Sequence, residues 1–167
     1  MRIFITSFFL VLSITIYGQF SDELDKRNGF KDIKLLSEVT TYPGLEYWKD
    51  DKSKPDHAIY RSKKGNYEKI GDVEVYKITV YTYRDLIFEI EVITAKDETL
   101  FRSFEKAYGK INSSLAASYS YWDGKNVRLN YETVGSKKIK LTYRSKQIKQ
   151  MIALDKKKAV DSLSTEF

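Results

Sequence analysis

The spacing of apolar residues predicts most of the secondary structure. Val73 to Tyr83 is rich in Val, Tyr, Ile and Thr; after Arg84-Asp85, the side chains Leu86, Phe88, Ile90 and Val92 alternate with Glu89 and Glu91. Period-two alternation marks strands with one face on a core, and so short a link predicts an antiparallel hairpin. The period then changes. Leu100, Phe104, Ala107/Tyr108 and Ile111 fall on one face of a helix that Thr94 or Asp97 caps and Gly109 stops. Residues 117–144 return to period two as three strands, 117–122, 125–131 and 138–143, with Asp123-Gly124 as a turn and Gly135 in the next. Val127/Leu129/Tyr131 and Ile139/Leu141/Tyr143 are their inward faces. From Gln147, Ile148, Met151/Ile152, Ala159 and Leu163 recur at helical spacing, with Lys156 to Lys158 outside.

The first third is less regular. Residues 19–28 (QFSDELDKRN) are polar and read as a flexible lead-in, with order starting near Phe30. Residues 37–42 suit one helical turn ended by Pro43-Gly44, residues 49–57 and 62–66 are loops by composition, and Ala58 to Tyr60 is a short strand. Tyr47-Trp48-Lys49-Asp50 and Tyr121-Trp122-Asp123 form a weak internal echo, each after a helical segment and among strands. The resulting expectation is a single α+β domain over residues 29–163: an antiparallel sheet of about five to seven strands with helices packed on one face.

The N-terminus changes where this domain is expected to work. Met1-Arg2 precedes a fourteen-residue apolar run, Ile3 to Ile16, and Tyr17-Gly18 leads into polar sequence. A charged start, a short apolar stretch and a small residue describe a secretory signal peptide over residues 1–18, too short for a membrane span. The expected location is periplasmic or extracellular, with no stable membrane anchor after cleavage. Loss of Arg2 leaves 28 basic against 23 acidic residues, a net charge of +5. That excess is spread along the chain and comes with no nucleic-acid module, so nucleic acid is not an expected partner. The chain has no cysteine, which excludes disulfides, thiolate metal sites and a cysteine nucleophile.

Catalytic and cofactor motifs are missing. His57 is the lone histidine, in a polar loop after Asp56, and no HExxH, GxSxG, GxGxxG or Walker motif accompanies it. Asp50, Asp51 and Asp56 cluster without the glycine and final glutamate of an EF-hand. No cofactor and no metal site are expected, and Glu89 and Glu91 read as strand carboxylates that meet water.

One register decides whether an aromatic binding face exists. If Asp123-Gly124 makes a two-residue turn, Tyr119 and Tyr121 share the outer face with Arg128 and Asn130, a stacking and hydrogen-bonding patch suited to a sugar or peptide. If the turn has three residues with a glycine bulge, both tyrosines enter the core beside Val127 and Leu129, because a one-residue slip reverses every side chain. Burial of the rings favours the second register.

The opening Asn28-Gly29-Phe30-Lys31-Asp32-Ile33-Lys34-Leu35 and the hairpin Trp122-Asp123-Gly124-Lys125-Asn126-Val127-Arg128-Leu129-Asn130-Tyr131 resemble small exported bacterial proteins of uncharacterised function. The helix-then-strands plan is also similar to beta-lactamase-inhibitor-like domains, which implies protein binding, although their usual cysteines are absent here. Together these readings predict a non-enzymatic binding or accessory module of the cell envelope, with an envelope protein or glycan as partner. The alternative is a small hydrolase using His57 or a carboxylate pair.

Overall fold

A computed structural model describes residues 17–113 and 119–164, so residues 1–16 of the expected leader and the start of the strand expected at Ala117 lie outside the described residues. Helix α1 (Tyr17–Arg27) precedes a small hairpin of β1 (Gly29–Phe30) and β2 (Ile33–Lys34) and a single 3-10 turn, Val39–Thr41. The first-half strands are β3 (Leu45–Asp50), β4 (His57–Ser62), β5 (Lys69–Ile70), β6 (Val73–Tyr83) and β7 (Leu86–Ala95). Helix α2 (Glu98–Tyr108) leads to β8 (Asn112–Ser113), β9 (Ser120–Asp123), β10 (Val127–Val134) and β11 (Lys138–Ser145), and α3 (Ile148–Ser164) ends the described chain. The main sheet runs β3-β4-β6-β7-β11-β10-β9-β8, with β5 added to β6; every pair is antiparallel.

Among the described residues the main sheet therefore has nine strands in place of the expected five to seven. The additional ones are β3, β5 and β8, all short or exposed; β5 and β8 have two residues each, and only Leu45 of β3 is buried. Strands without an apolar face leave no period-two signal to read.

The sequence polarity of residues 19–28 also misleads. Instead of a lead-in, the segment carries most of α1, which docks on the core through Leu24, 1% exposed. Leu24 joins Leu100 and Tyr108 of α2 and the inward faces of β6, β7, β10 and β11 in one core. Ile78, Val80, Ile90, Val92, Leu129, Ile139 and Leu141 are each fully buried there. Helices α1 and α2 thus cover one face of the sheet. Ile59, Tyr83 and Ile148 are buried outside this cluster. Helix α3 is tied to the β6–β7 turn by Asp155, which accepts from Tyr83 Oη at 3.1 Å and Arg84 Nη1 at 2.9 Å. Beyond Asp155, Ala159 and Leu163 are exposed, so the expected apolar stripe is buried only at Ile148 and half-buried at Met151 and Ile152.

Local signals account for the ends of α2. The Asp97 side chain accepts from the Leu100 N–H at 2.7 Å, and Gly109 takes φ +87° at the C-cap. In β1–β2, Gly29 has φ +141°, and a Cβ there would stand 2.2 Å from the Ile33 carbonyl oxygen. The Gly-Phe-Lys-Asp-Ile motif is therefore a structural corner. Arg84 and Asp85 make the β6–β7 turn with φ values of +47° and +63°, a two-residue turn of the type usually made with Asn and Gly. Just beyond it, Tyr81 pairs with Glu89 but Thr82 pairs with Ile87. Phe88 is the extra residue of a bulge, so Ile87 enters the core in place of the expected Phe88.

The two halves share a plan. Each begins with a helix (α1 or α2) and continues into a run of antiparallel strands, and their last strands, β7 and β11, pair in the middle of the sheet. The sequence echo does not follow that symmetry. Trp48 lies on the outermost strand and is 43% exposed, whereas Trp122 lies one strand in from its edge and is 2% exposed.

Several tyrosines tie stability to alkaline pH. Burial first, and Asp32 second, push the Tyr67 phenol up to about 12; its hydroxyl donates to Asp32 Oδ2 at 3.1 Å. Burial also raises Tyr81, Tyr131 and Tyr143. A pKa raised by folding means that the unfolded chain loses these protons first, from about pH 10. The stability that the phenols contribute is complete below that pH and is lost as pH rises toward 12. We expect tyrosinate absorbance and loss of circular dichroism to rise together in that window. Tyr67→Phe should shift the alkaline midpoint upward. Ionisation of Tyr67, read as the absorbance lost in Tyr67→Phe, near pH 10 with the fold intact would contradict this account.

Candidate functional site

The sheet face opposite α1 and α2 carries the candidate residues, and the pairing of β9 with β10 puts them there. Arg128 pairs with Asp123, Leu129 with Trp122, Asn130 with Tyr121 and Tyr131 with Ser120. Neither expected turn occurs: the last pair of the β9–β10 ladder is Asp123 with Arg128, and within it the Gly124 N–H donates to the Val127 carbonyl at 2.8 Å. In its parity the observed register matches the two-residue turn, so the expectation favouring buried tyrosines is overturned. Trp122 takes the inward place instead, packing 5.7–6.3 Å from Phe101, Phe104, Tyr108 and Tyr131, with Nε1 donating to the Gly109 carbonyl at 2.8 Å. The large apolar indole displaces two tyrosines whose hydroxyls need partners.

Tyr119 and Tyr121 are half-buried on the outer face, their rings 6.4 Å apart at 66°. The Arg128 guanidinium lies 4.7 Å from the Tyr121 ring centre, within cation–π range. The same group is held in a fork by Asp123, Nε to Oδ1 at 3.1 Å and Nη2 to Oδ2 at 3.0 Å. Asn130 stands opposite Tyr121, and its Oδ1 is buried without a hydrogen-bond partner among the described residues. All four predicted residues are thus brought to one face.

The sequence reading missed Arg144, which lies directly across the β10–β11 ladder from Arg128. The inward alternation of Ile139, Leu141 and Tyr143 already required Lys140, Thr142 and Arg144 to point outward. Two guanidiniums side by side repel unless each has an acid. Asp123 serves Arg128, and Glu89 accepts from Arg144 Nε. Lys146 Nζ adds 2.6 Å contacts to Asp123 Oδ1 and the Gly124 carbonyl. Burial pushes the Asp123 carboxyl up, but the bonds from Arg128 and Lys146 outweigh it and hold its pKa below the ordinary value.

Glu89 and Glu91 do not simply meet water. Glu89 is 8% exposed beneath Arg144, and Glu91 accepts from Tyr81 Oη at 3.0 Å and faces Lys140 Nζ at 3.9 Å. Lys140 also reaches Glu132 at 2.6 Å. Ion pairs therefore run across β7, β11 and β10, and these carboxylates are committed to cations.

No protein-family model, curated protein or solved structure matches the chain.

His57 is not a solvated loop residue: it opens β4, half-buried, with its ring 5.1 Å from Tyr83 and 5.6 Å from Phe88. Its Nδ1 is 2.8 Å from the Pro55 carbonyl, which fixes the proton on that nitrogen. It borders an open cleft of about 660 Å³ with Asp50, Asp51, Asp56, Arg84 and Asp85. Asp51 is engaged with Ser53, and Asp56 with Arg84 at 3.3 Å. Among the described residues, no group of three or more His, Asp and Glu is arranged to hold a metal ion, and no helix is long and apolar enough to cross a membrane.

Proposed function

We propose that this protein is an exported, non-enzymatic binding module of the bacterial cell envelope that holds a glycan on the outer face of its sheet, at Tyr119, Tyr121, Arg128 and Asn130. The observation that carries the reading is the placement of two adjacent tyrosines on that face, with the Arg128 guanidinium against one ring and Asn130 opposite Tyr121. Sugar rings stack on aromatic faces, and fixed amide and guanidinium groups orient hydroxyls. Because the neighbouring cations are already paired with carboxylates, the surface favours a neutral ligand over an anionic polymer.

Capture of envelope polysaccharides by the purified protein tests this. Binding should survive a rise from low to moderate salt, and Tyr121→Ala should weaken it about tenfold while leaving the melting temperature nearly unchanged. Binding only to an envelope protein, or glycan binding indifferent to Tyr121, would overturn it. N-terminal sequencing of the exported form should begin near Gln19; an intact Met1 would remove the export half of the proposal.

The hydrolase alternative has the His57 cleft in its favour. Against it, the imidazole is wedged between two rings with Nδ1 committed to a carbonyl, and Glu89 and Glu91 are bound to cations. His57→Ala should therefore leave ligand binding unchanged.

A further inference from the structure

The sheet ends at β3. Among the described residues no strand pairs with its outer edge, and Glu46 to Asp50 are all exposed, Tyr47 at 55% and Trp48 at 43%. The direction of its free backbone groups follows from the bond that the Lys63 N–H donates to the Gly44 carbonyl at 2.9 Å. In an antiparallel ladder alternate residues turn N–H and C=O toward the neighbouring strand and the others turn away. Counted from Gly44, Glu46 bonds toward β4, and Tyr47 presents its N–H and carbonyl to the open rim. Trp48 is the extra residue of a bulge between the pairs Tyr47–Tyr60 and Lys49–Ile59. The bulge returns Lys49 to the same side of the sheet as Glu46. Arg61, the partner of Glu46, lies 3.2 Å from the centre of the Trp48 ring, and Lys49 Nζ lies 4.2 Å from it.

We propose that this edge joins two copies of the chain through an antiparallel β3–β3 pair with Tyr47 on the two-fold axis. On that axis the two Tyr47 residues exchange both backbone hydrogen bonds. With one bulged residue in each strand, Glu46 of each copy then stands opposite Lys49 of the other, on one side of the sheet. Symmetry makes this charge pair twice. That self-complementarity is the argument for a second copy over an unrelated peptide. Lysines and bulges ordinarily guard sheet edges against pairing. Here the lysine faces its own complement, and the guard acts against every other edge. The contact is a single six-residue strand per copy, well below the roughly 1,000 Å² of a stable interface, so the dimer is weak and reversible.

Sedimentation velocity over a concentration series, on protein purified after expression of the full chain, tests the proposal. A dimer should appear as concentration rises. Glu46→Lys and Lys49→Glu, each placing like charges together twice, should weaken it at least about tenfold. The double reversal Glu46→Lys/Lys49→Glu should restore it. Both positions are exposed, and matching circular dichroism spectra verify the fold of each of the three variants. A monomer at every concentration, a dimer indifferent to the single reversals, or a double variant that stays monomeric would each overturn the assignment.

Discussion

Trp122→Ala is expected to lower unfolding stability by about 3–5 kcal/mol, the range for deleting a large aromatic side chain from a packed core. Trp122 is 2% exposed and is the largest of the fully buried side chains. Four rings touch it, from α2 and β10, so its removal opens a void where helix, hairpin and sheet meet. Its Nε1 bond to the Gly109 carbonyl also ties β9 to the C-cap of α2. The two contributions separate in Trp122→Phe, which keeps a ring but leaves that carbonyl without its donor; about 1–3 kcal/mol should be lost there. Urea denaturation provides the measurement, with the midpoint falling and the slope unchanged. A loss below about 1 kcal/mol for alanine would mean that the surrounding rings collapse into the gap.

Trp122 also shows where sequence reasoning works and where it stops. The alternation in β7, β10 and β11, the α2 cap at Asp97 and its stop at Gly109 were all legible, because each depends on residues close together in the chain. Trp122 was not, because its inward position depends on a loop length that Asp123-Gly124 does not determine. Either parity could be written for Tyr119 and Tyr121; only competition among Trp122, Phe101 and Phe104 for the same space decides it. Arg144 was recoverable from the alternation of its own strand, since Tyr143 points inward. Its pairing with Glu89 was not, because strands β7 and β11 are separated by α2 and three strands. The short strands β3, β5 and β8 were silent for another reason: they bury almost nothing, so their backbone bonds, and not their side chains, hold them in the sheet.

The candidate face inherits its precision from this arrangement. Arg128 is positioned twice, by the fork from Asp123 and by the β10 backbone beneath it. Asp123 in turn is held by Lys146, which follows β11 directly. These half-buried, still solvent-screened pairs contribute little to stability individually. Their effect is to fix rotamers, which lowers the entropic cost of ordering a binding surface. Loosening the β9–β10 loop should therefore disturb the site even though no candidate residue is changed.

Asp25→Ala is the variant that loosens it, with an expected cost of about 3 kcal/mol. The Asp25 carboxylate, projecting from α1, accepts from three consecutive backbone N–H groups: Lys125 at 2.7 Å, Asn126 at 2.8 Å and Val127 at 2.9 Å. Those donors belong to the loop between β9 and β10 and to the first residue of β10. Hydrogen bonds to a charged group contribute about 1.5–3 kcal/mol each. Three bonds sharing one carboxylate do not add, so the sum stays near the upper end of a single bond. Alanine leaves the N–H groups of Asn126 and Val127 part-buried and without that acceptor, and it loosens α1, which Leu24 and Arg27 still hold. Asp25→Asn keeps one oxygen able to accept two of the three bonds and should lose about half as much. Hydrogen exchange reads the mechanism directly: protection at Lys125, Asn126 and Val127 should fall by more than protection in β7 or β11. Binding at Tyr121 should weaken in parallel. Uniform loss of protection across the sheet, with these three amides no worse than the rest, would show that Asp25 contributes only to global stability and does not pin the loop beneath the site.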